Sequence, residues 1–210
     1  MSNLIEQLNW RYATKRMTGE KIPAEKLQTI LEAIRLTASN AGLQPYTIFV
    51  ISNEELKKEI HQKACPQPQV LESSHLLVFT NKTNISSEYI DEMMQLVSTT
   101  RNAPLESLSG FSSSLKNYFG GKTEEEKANL ASRDAHIALG TALIAAASEL
   151  IDAAPMGGFN PTALDEVLNL KEKGLQSTVL LALGYRNQEL DLLSKAKKAR
   201  KPFNELFIKI

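Results

Sequence analysis

The sequence lacks several features that would identify a compartment or a site. Its only cysteine is Cys65, so the chain cannot form an intramolecular disulfide. The first ten residues contain Glu6 and no apolar core of the kind a secretory signal needs. From these two absences we expect a protein of the reducing cytoplasm.

An excess of charge of one sign is also missing, as are long hydrophobic runs. Lys plus Arg and Asp plus Glu each number 24, so no global positive field exists to attract nucleic acid. The longest charge-free apolar segment is 137–148, whereas a membrane-spanning helix needs about 20 residues. Neither a nucleic acid nor a membrane is therefore expected as a partner.

Familiar catalytic motifs are absent too. No G-x-G-x-x-G occurs, and the S-x-x-K match at Ser113 and Lys116 lacks its companion motifs. His61 and Cys65 have metal-ligand spacing, but Pro66 interrupts the local helix and only three histidines exist. We predict no metal site and no protein nucleophile.

What the sequence does contain is an alternation of helices and strands. Apolar spacing after Pro23 predicts an amphipathic helix over 25–38, and a capping Thr123 predicts a long helix through Leu150. Buried strands are predicted at 46–51, 76–80 and 177–183. The pattern indicates a single domain, 1–210, of the α/β or α+β class around one sheet.

Proline and glycine interrupt this pattern in three places. The helical stretch that begins at Ser87 is broken at Pro104 and Gly110, and we expect the segment 105–121 to be mobile. Residues 65–69 (CPQPQ) are predicted to be non-helical, and 155–161 is predicted to be a turn-rich loop.

Two groups of cations are the remaining signal. Arg11 and Lys15 lie four residues apart on a predicted helix end, where like charges cost about 0.2–0.5 kcal/mol unless an anion offsets them. Residues 198–201 (KARK) form the second group, and such residues commonly bind phosphate. Two solvated charged surfaces are the alternative. The backbone at 156–158 suits a flat ligand or an ordinary turn.

Seven segments occur in order along nearly the whole chain: 10–15 (WRYATK), 38–46 (ASNAGLQPY), 74–79 (SHLLVF), 137–140 (IALG), 155–159 (PMGGF), 170–174 (LKEKG) and 198–200 (KAR). Taken together, they resemble the nitroreductase family of FMN-dependent NAD(P)H oxidoreductases. The resemblance implies an α+β fold, a three-layer α/β/α sandwich with a mainly antiparallel sheet. It also implies an intertwined homodimer with FMN at the subunit interface.

The resemblance further implies a set of FMN-binding residues. Arg11, Lys198 and Arg200 would hold the phosphate, Lys15 would face the pyrimidine edge, and Ser39 and Asn40 would come from the partner subunit. The backbone of Gly157 and Gly158 would approach the ring. The full expected set is Arg11, Tyr12, Ala13, Lys15, Ala38, Ser39, Asn40, Gln69, Met156, Gly157, Gly158, Lys198 and Arg200.

Two further segments receive roles in this interpretation. Within 105–121, Phe111 or Phe119 would cover the substrate side of the flavin, the alternative being that these phenylalanines simply pack. The segment 190–210 would extend toward the partner, with 206–208 (LFI) joining its sheet. The uncharged half of the long helix would be buried in the dimer core.

The implied function is hydride transfer from NADH or NADPH through FMN to a nitroaromatic, a quinone or a related small acceptor, by a ping-pong mechanism. The alternatives are a flavin-storage or sensor protein without turnover, and a family branch that uses reduced FMN for another reaction such as dehalogenation. The chain departs from many members at Pro66, Gln69 and Gly157, where an asparagine, a lysine and an acidic residue are common.

Overall fold

A four-stranded antiparallel sheet lies at the centre of the protein, seen in a computed structural model that describes residues 3–210. The strands are β1 (Tyr46–Ile51), β2 (His75–Lys82), β3 (Asp152–Met156) and β4 (Leu175–Gly184), in the order β1-β2-β4-β3. The register of β1 on β2 runs from Tyr46 opposite Asn81 to Ile51 opposite Leu76. β2 and β4 are therefore central, and β1 and β3 are the edge strands.

Helices cover both faces of the sheet. In residues 3–210 they are α1 (Asn3–Trp10), α2 (Ala24–Arg35), α3 (Glu54–Lys63), α4 (Pro68–Glu72), α5 (Ser87–Arg101), α6 (Ser109–Gly120), α7 (Glu124–Ser148), α8 (Pro161–Val167) and α9 (Phe203–Leu206). One core packs α2 and α7 on the face that carries Leu77 and Leu181. The other packs α3, α4 and α8 on the face that carries Leu76 and Leu180. Alternating strand residues thus supply two cores, and the three-layer α+β sandwich is confirmed.

The long helix α7 begins where the sequence predicts. Thr123 accepts a hydrogen bond from the Glu126 amide and Glu126 returns one to the Thr123 amide, so a complete capping box starts the helix. Alanines fill its sheet-facing side, but Ile137, Gly140 and Ile144 are exposed. Within one chain, the charge-free half of α7 therefore keeps an exposed apolar side.

The strand β3 is absent from the sequence prediction, which placed a loop at 155–161. Pro155 lies in β3 opposite Leu181, with Met156 the last strand residue. An edge strand accepts proline because one row of its backbone groups has no ladder partner. The loop prediction was thus wrong for residues 155 and 156, and the reason is the edge position.

Two local predictions near the N-terminus and α4 also need correction. α1 ends at Trp10 and the Arg11 amide still donates to the Gln7 carbonyl, so Arg11 lies at the helix end, whereas Lys15 lies beyond the helix. α4 begins at Pro68, so Gln69 is helical although 65–69 was predicted not to be. Proline is tolerated in a first helical turn because its missing N–H would have no partner there.

The interrupted segment after α5 forms short helices. Asn102 ends α5 in the left-handed conformation, a 3₁₀ turn spans Leu105–Leu108, and α6 follows. The break at Pro104 is confirmed, whereas Gly110 lies inside α6.

The last 25 residues contain only the short α9 as regular structure. No helix of the described chain has the length and apolar content that crossing a membrane requires.

Phe119 and Phe111 offer a test of the small third core, which lies between α5, α6 and α7. Phe119 is 2% exposed among Leu43, Ile90 and Met94, whereas Phe111 is 48% exposed. We expect Phe119→Ala to lower the free energy of unfolding by about 3–5 kcal/mol, because it leaves a cavity. Phe111→Ala should change it by no more than about 0.5 kcal/mol. Urea denaturation of both variants measures the difference, and equal losses would contradict this packing.

Candidate functional site

The segment that follows α1 is anchored to the ends of β3 and β4. Ala13 forms a parallel bridge with Ala153, and Met17 an antiparallel bridge with Arg186. The Thr18 amide donates to the Tyr185 carbonyl and the Asn187 amide to the Arg16 carbonyl, both at 2.9 Å. A Cβ at Gly184 would come within 3.0 Å of the Met17 sulfur, so the glycine permits this close approach.

Alternate residues of this segment each bind a carboxylate of the protein. The Tyr12 hydroxyl donates to Asp191 at 3.0 Å, and the Thr14 hydroxyl donates to Asp152 at 3.2 Å. The Arg16 guanidinium pairs with Glu72 through Nε at 2.8 Å. Arg11 and Lys15 form no such ion pair: the Arg11 Nε has no partner among residues 3–210, and the Lys15 side chain is exposed.

Arg186 is the centre of the packing beneath this segment. Its Nε donates to both oxygens of buried Asp152, at 2.9 and 3.0 Å, and its Nη2 lies 2.6 Å from Oδ1 without hydrogen-bonding geometry. The guanidinium lies 4.3 Å from the Trp10 ring centroid and 4.7 Å from that of Tyr12. Arg186 is thus charge-paired and stacked on two aromatic rings, which fixes the start of the segment.

Asp191 joins this segment to the C-terminal part of the chain. It is 1% exposed, and its Oδ2 accepts from the Lys15 amide at 2.7 Å, the Arg16 amide at 3.3 Å and the Tyr12 hydroxyl. Burial alone would raise the pKa of Asp191, but the hydrogen bonds outweigh it and lower that pKa. The same contact, after burial, raises the pKa of Tyr12 to about 12.

Arg11 belongs to a cluster of cations in which no described residue fully compensates the charge. Its Nε is buried and has no hydrogen-bond partner among residues 3–210. Burial lowers the pKa of Arg11 and the nearby Arg200 lowers it further, while Asp152 opposes the shift. A buried unpaired donor beside a second guanidinium has the properties of an anion site.

Lys198 lies in the same cluster, but its ammonium binds backbone carbonyls, whereas the expectation was that it would hold the phosphate. Its ammonium donates to the backbone carbonyls of Leu8, Asn9 and Arg11, which are the free acceptors at the C-terminal end of α1. Burial lowers the pKa of Lys198, and Arg11 and Arg200 add to that effect. Lys198 therefore caps α1 and joins the chain just before Arg200 to the Arg11 carbonyl.

Gln69 supplies a second buried group without a partner. The side chain is 2% exposed, and its Nε2 donates to the Thr14 carbonyl at 3.2 Å, which fixes the orientation of the amide. Its Oε1 is buried and accepts no hydrogen bond from the described residues. A free acceptor thus lies immediately behind the segment that carries Lys15.

The other expected residues follow β3 and α4. Met156 is buried at the end of β3, and Gly157 and Gly158 are exposed. The Gly158 carbonyl accepts from Gln67 Nε2 at 3.0 Å, which links this loop to the start of α4. Pro66 is exposed in the same region.

The turn containing Ser39 and Asn40 is a separate strained structure. Ala41 and Gln44 both have positive φ, 52° and 45°. Buried Asp134 of α7 accepts from the Asn40 amide at 2.9 Å, and Ser39 Oγ accepts from the Gln44 amide at 2.9 Å. Burial raises the pKa of Asp134. In residues 3–210, no hydrogen bond or ion pair links this turn to the cationic cluster, and Ala38 next to it is exposed.

The two candidate substrate residues differ in position. Phe119 lies in the third core, which favours the alternative that it simply packs, while Phe111 is exposed on α6. A cavity of about 770 Å³ lies between α5, the 3₁₀ turn and α6, lined by Met94, Leu105 and Leu108 among others.

Nowhere in residues 3–210 do three metal-ligating side chains gather closely enough to hold a metal ion.

Sequence reasoning missed Asp152, Arg186 and Asp191, although they hold the site together. Asp152 starts a strand that was not predicted, and Arg186 lies two residues beyond the end of β4. The available signal was local: Asp191 and Glu205 are the only acids in the otherwise basic last twenty residues. Of these two acids Asp191 is the buried one, and it binds the N-terminal segment.

Comparisons with known proteins agree with this architecture. The family model of the nitroreductase family matches residues 8–185. The chain is 29% identical over 210 residues to the major NAD(P)H-flavin oxidoreductase of Aliivibrio fischeri, with 97% of this chain and 96% of that protein covered. The chain therefore belongs to the nitroreductase family.

Solved structures share the fold. The ydfN protein of Bacillus subtilis, designated a nitroreductase, superimposes with a TM-score of 0.88 at 20% identity, covering 100% of both chains. A protein of Exiguobacterium sibiricum, designated a nitroreductase and crystallised in complex with FMN, gives a TM-score of 0.83 at 20% identity. That comparison covers 100% of this chain and 98% of the other.

Proposed function

We propose that the protein is an FMN-dependent NAD(P)H oxidoreductase that reduces nitroaromatic, quinone or related small acceptors. One structural observation carries this proposal: Arg11 presents a buried, unpartnered Nε beside Arg200, as a phosphate-binding site requires. Family membership and the name of the A. fischeri relative support the same activity. The sole cysteine is a buried free thiol, in keeping with a cytoplasmic location.

The described residues fit both ends of FMN, the phosphate and the pyrimidine edge of the flavin ring. Arg11 and Arg200 would bind the phosphate, and Lys198 would position them through the end of α1. Gln69 Oε1 lacks a donor, and the pyrimidine edge of a flavin carries an N–H group that can donate to it. Tyr12 and Ala13 would contribute backbone, because Asp191 holds the Tyr12 hydroxyl and Ala13 bridges β3.

When bound, FMN supplies the chemistry by accepting a hydride from NADH or NADPH and passing it to the acceptor. The chain binds and orients the cofactor and stabilises charge. Lys15 is exposed, and no described residue pairs with its ammonium. Its charge would favour the more negative, reduced form. Met156, Gly157 and Gly158 would form one wall of the site, with the small glycines permitting close approach.

The partner is proposed to be a second copy of this chain. On α7, Ile137, Gly140 and Ile144 form an exposed, uncharged stripe, and Leu206, Phe207 and Ile208 are exposed near the C-terminus. A two-fold dimer would bury both of these apolar surfaces and let 190–210 reach the partner. It would also bring Ser39 and Asn40 of one subunit, held by their hydrogen bonds, to the cofactor site of the other. The strain at that turn supports a functional role.

The dimer has a direct test. Sedimentation equilibrium should give twice the chain mass for the wild type. Ile144→Asp should shift the protein toward monomer, because it places a charge in the apolar interface. A monomeric wild type would contradict the proposal.

The segment 105–121 is proposed to cover the acceptor side of the site. Phe111 is the candidate contact, because it is exposed whereas Phe119 is in the core. Phe111→Ala should then change the KM values of bulky acceptors, while Phe119→Ala acts through stability.

The activity is tested with purified, FMN-loaded protein under anaerobic conditions. NADH or NADPH should bleach the flavin absorption, and a quinone or nitroaromatic added afterwards should restore it. If neither nucleotide bleached the bound flavin, the storage or sensor alternative would replace the oxidoreductase.

The phosphate assignment predicts a preference for FMN over riboflavin. A charge-assisted hydrogen bond is worth about 1.5–3 kcal/mol, so Arg200→Ala should weaken FMN binding about ten- to a hundredfold and leave riboflavin binding nearly unchanged. Lys201→Ala removes the adjacent charge and is the matched control. Equal wild-type affinity for riboflavin and FMN would refute the assignment.

The role of Lys15 is tested by the reduction potential. At an effective dielectric constant near 20, a unit charge about 4 Å away contributes on the order of 4 kcal/mol before desolvation. Lys15→Met should lower the potential of bound FMN while oxidised FMN stays bound. Lys58→Met, which removes an exposed lysine of α3 paired with Glu55, is the control. A redox-dye titration that found an unchanged potential would exclude the electrostatic role.

A further inference from the structure

We propose that Asp191 is the positioning residue of the cofactor site, and that it sets the placement of both Lys15 and the phosphate-binding cations. This inference rests on the proposed function. It concerns a residue outside the sheet and outside all three cores, on a stretch of irregular chain.

The contacts of Asp191 connect the two halves of the site. Its Oδ2 accepts from Tyr12, Lys15 and Arg16, which lie on the N-terminal segment. Its Oδ1 accepts from the Leu193 amide at 2.9 Å, and its own amide donates to the Asn187 carbonyl at 2.9 Å. One carboxylate therefore ties the segment that carries Arg11 and Lys15 to the segment that leads to Lys198 and Arg200.

The position of Lys15 depends on Asp191 more than on any other described contact. The Lys15 amide donates to Asp191 at 2.7 Å, the shortest of the three Oδ2 contacts. Beyond Lys15, the chain is held independently by the backbone bonds that join Arg16 and Thr18 to Asn187 and Tyr185. Loss of the carboxylate would thus free Lys15 locally while the rest of the segment stays anchored.

Direct electrostatics and positioning predict opposite signs for the reduction potential. Removing a negative charge near the cofactor, with nothing moving, favours the reduced form and raises the potential. Releasing the Lys15 backbone lets its ammonium leave the cofactor, and the potential then falls. The sign of the change identifies which effect dominates.

The experiment uses full-length Asp191→Asn, which keeps the side-chain volume, and Asp191→Ala. Glu72→Gln is the matched control, because Glu72 also binds a backbone amide of this segment, that of Met17 at 2.8 Å, and the Arg16 side chain. For both Asp191 variants we expect a lowered potential of bound FMN, FMN affinity reduced at least about tenfold, and a smaller preference for FMN over riboflavin. Glu72→Gln also removes a negative charge but leaves the Lys15 amide bound to Asp191, so it should not lower the potential.

The apo-protein provides a readout that does not depend on the cofactor. Trp10 is the only tryptophan, and it stacks on Arg186 at the start of the segment. Acrylamide should quench its emission more in the Asp191 variants than in the wild type, at temperatures where circular dichroism shows all proteins folded.

The outcomes distinguish a failure of the Asp191 proposal from a failure of the proposed oxidoreductase function. If the wild type bound neither FMN nor riboflavin, the proposed function would fall, and this inference with it. If the wild type bound FMN but the Asp191 variants kept its affinity and potential, or showed a raised potential, only the positioning role would be overturned. A lowered unfolding midpoint with unchanged FMN binding would likewise show a merely structural role.

Discussion

The site depends on buried carboxylates that hold an irregular segment in place. Asp152 binds Arg186 and Thr14, and Arg186 in turn lies between the rings of Trp10 and Tyr12. Breaking a buried pair of this kind typically costs 3–5 kcal/mol, since it leaves an uncompensated charge. The protein's acids thus neutralise the cations that build the scaffold, and Arg11 and Lys15 remain available for a ligand. The site is thus defined by which cations the protein leaves unpaired, more than by its shape.

Much of the fold could be predicted from the sequence because its signals are local. The capping residues of α7 and the β-branched run at β1 follow from rules that act within a few residues. β3 could not be predicted in this way, since Pro155 is allowed only by its place at the sheet edge. That place is set by pairing with β4, which follows it by nearly twenty residues.

The candidate site was predictable in its cations but not in the contacts that arrange them. The family resemblance implies Arg11, Lys198 and Arg200, which lie close together in the structure, whereas the helix predicted to carry Lys15 ends at Trp10. The actual arrangement requires Asp191, about 180 residues away along the chain, to meet Tyr12. The buried Gln69 had the same limitation: its free Oε1 becomes visible only once Nε2 is seen to bond the Thr14 carbonyl.

The two edges of the sheet are unequal, and this limits how the protein can associate. At β3, Pro155 lacks an N–H and Ala13 already bridges Ala153, so this edge cannot accept another strand along its length. Among residues 3–210, only β1 presents a free edge. A sheet with one usable edge can join a single neighbour and then has none left. Growth by strand addition therefore ends in a closed pair, and the route to a continuous fibre is blocked.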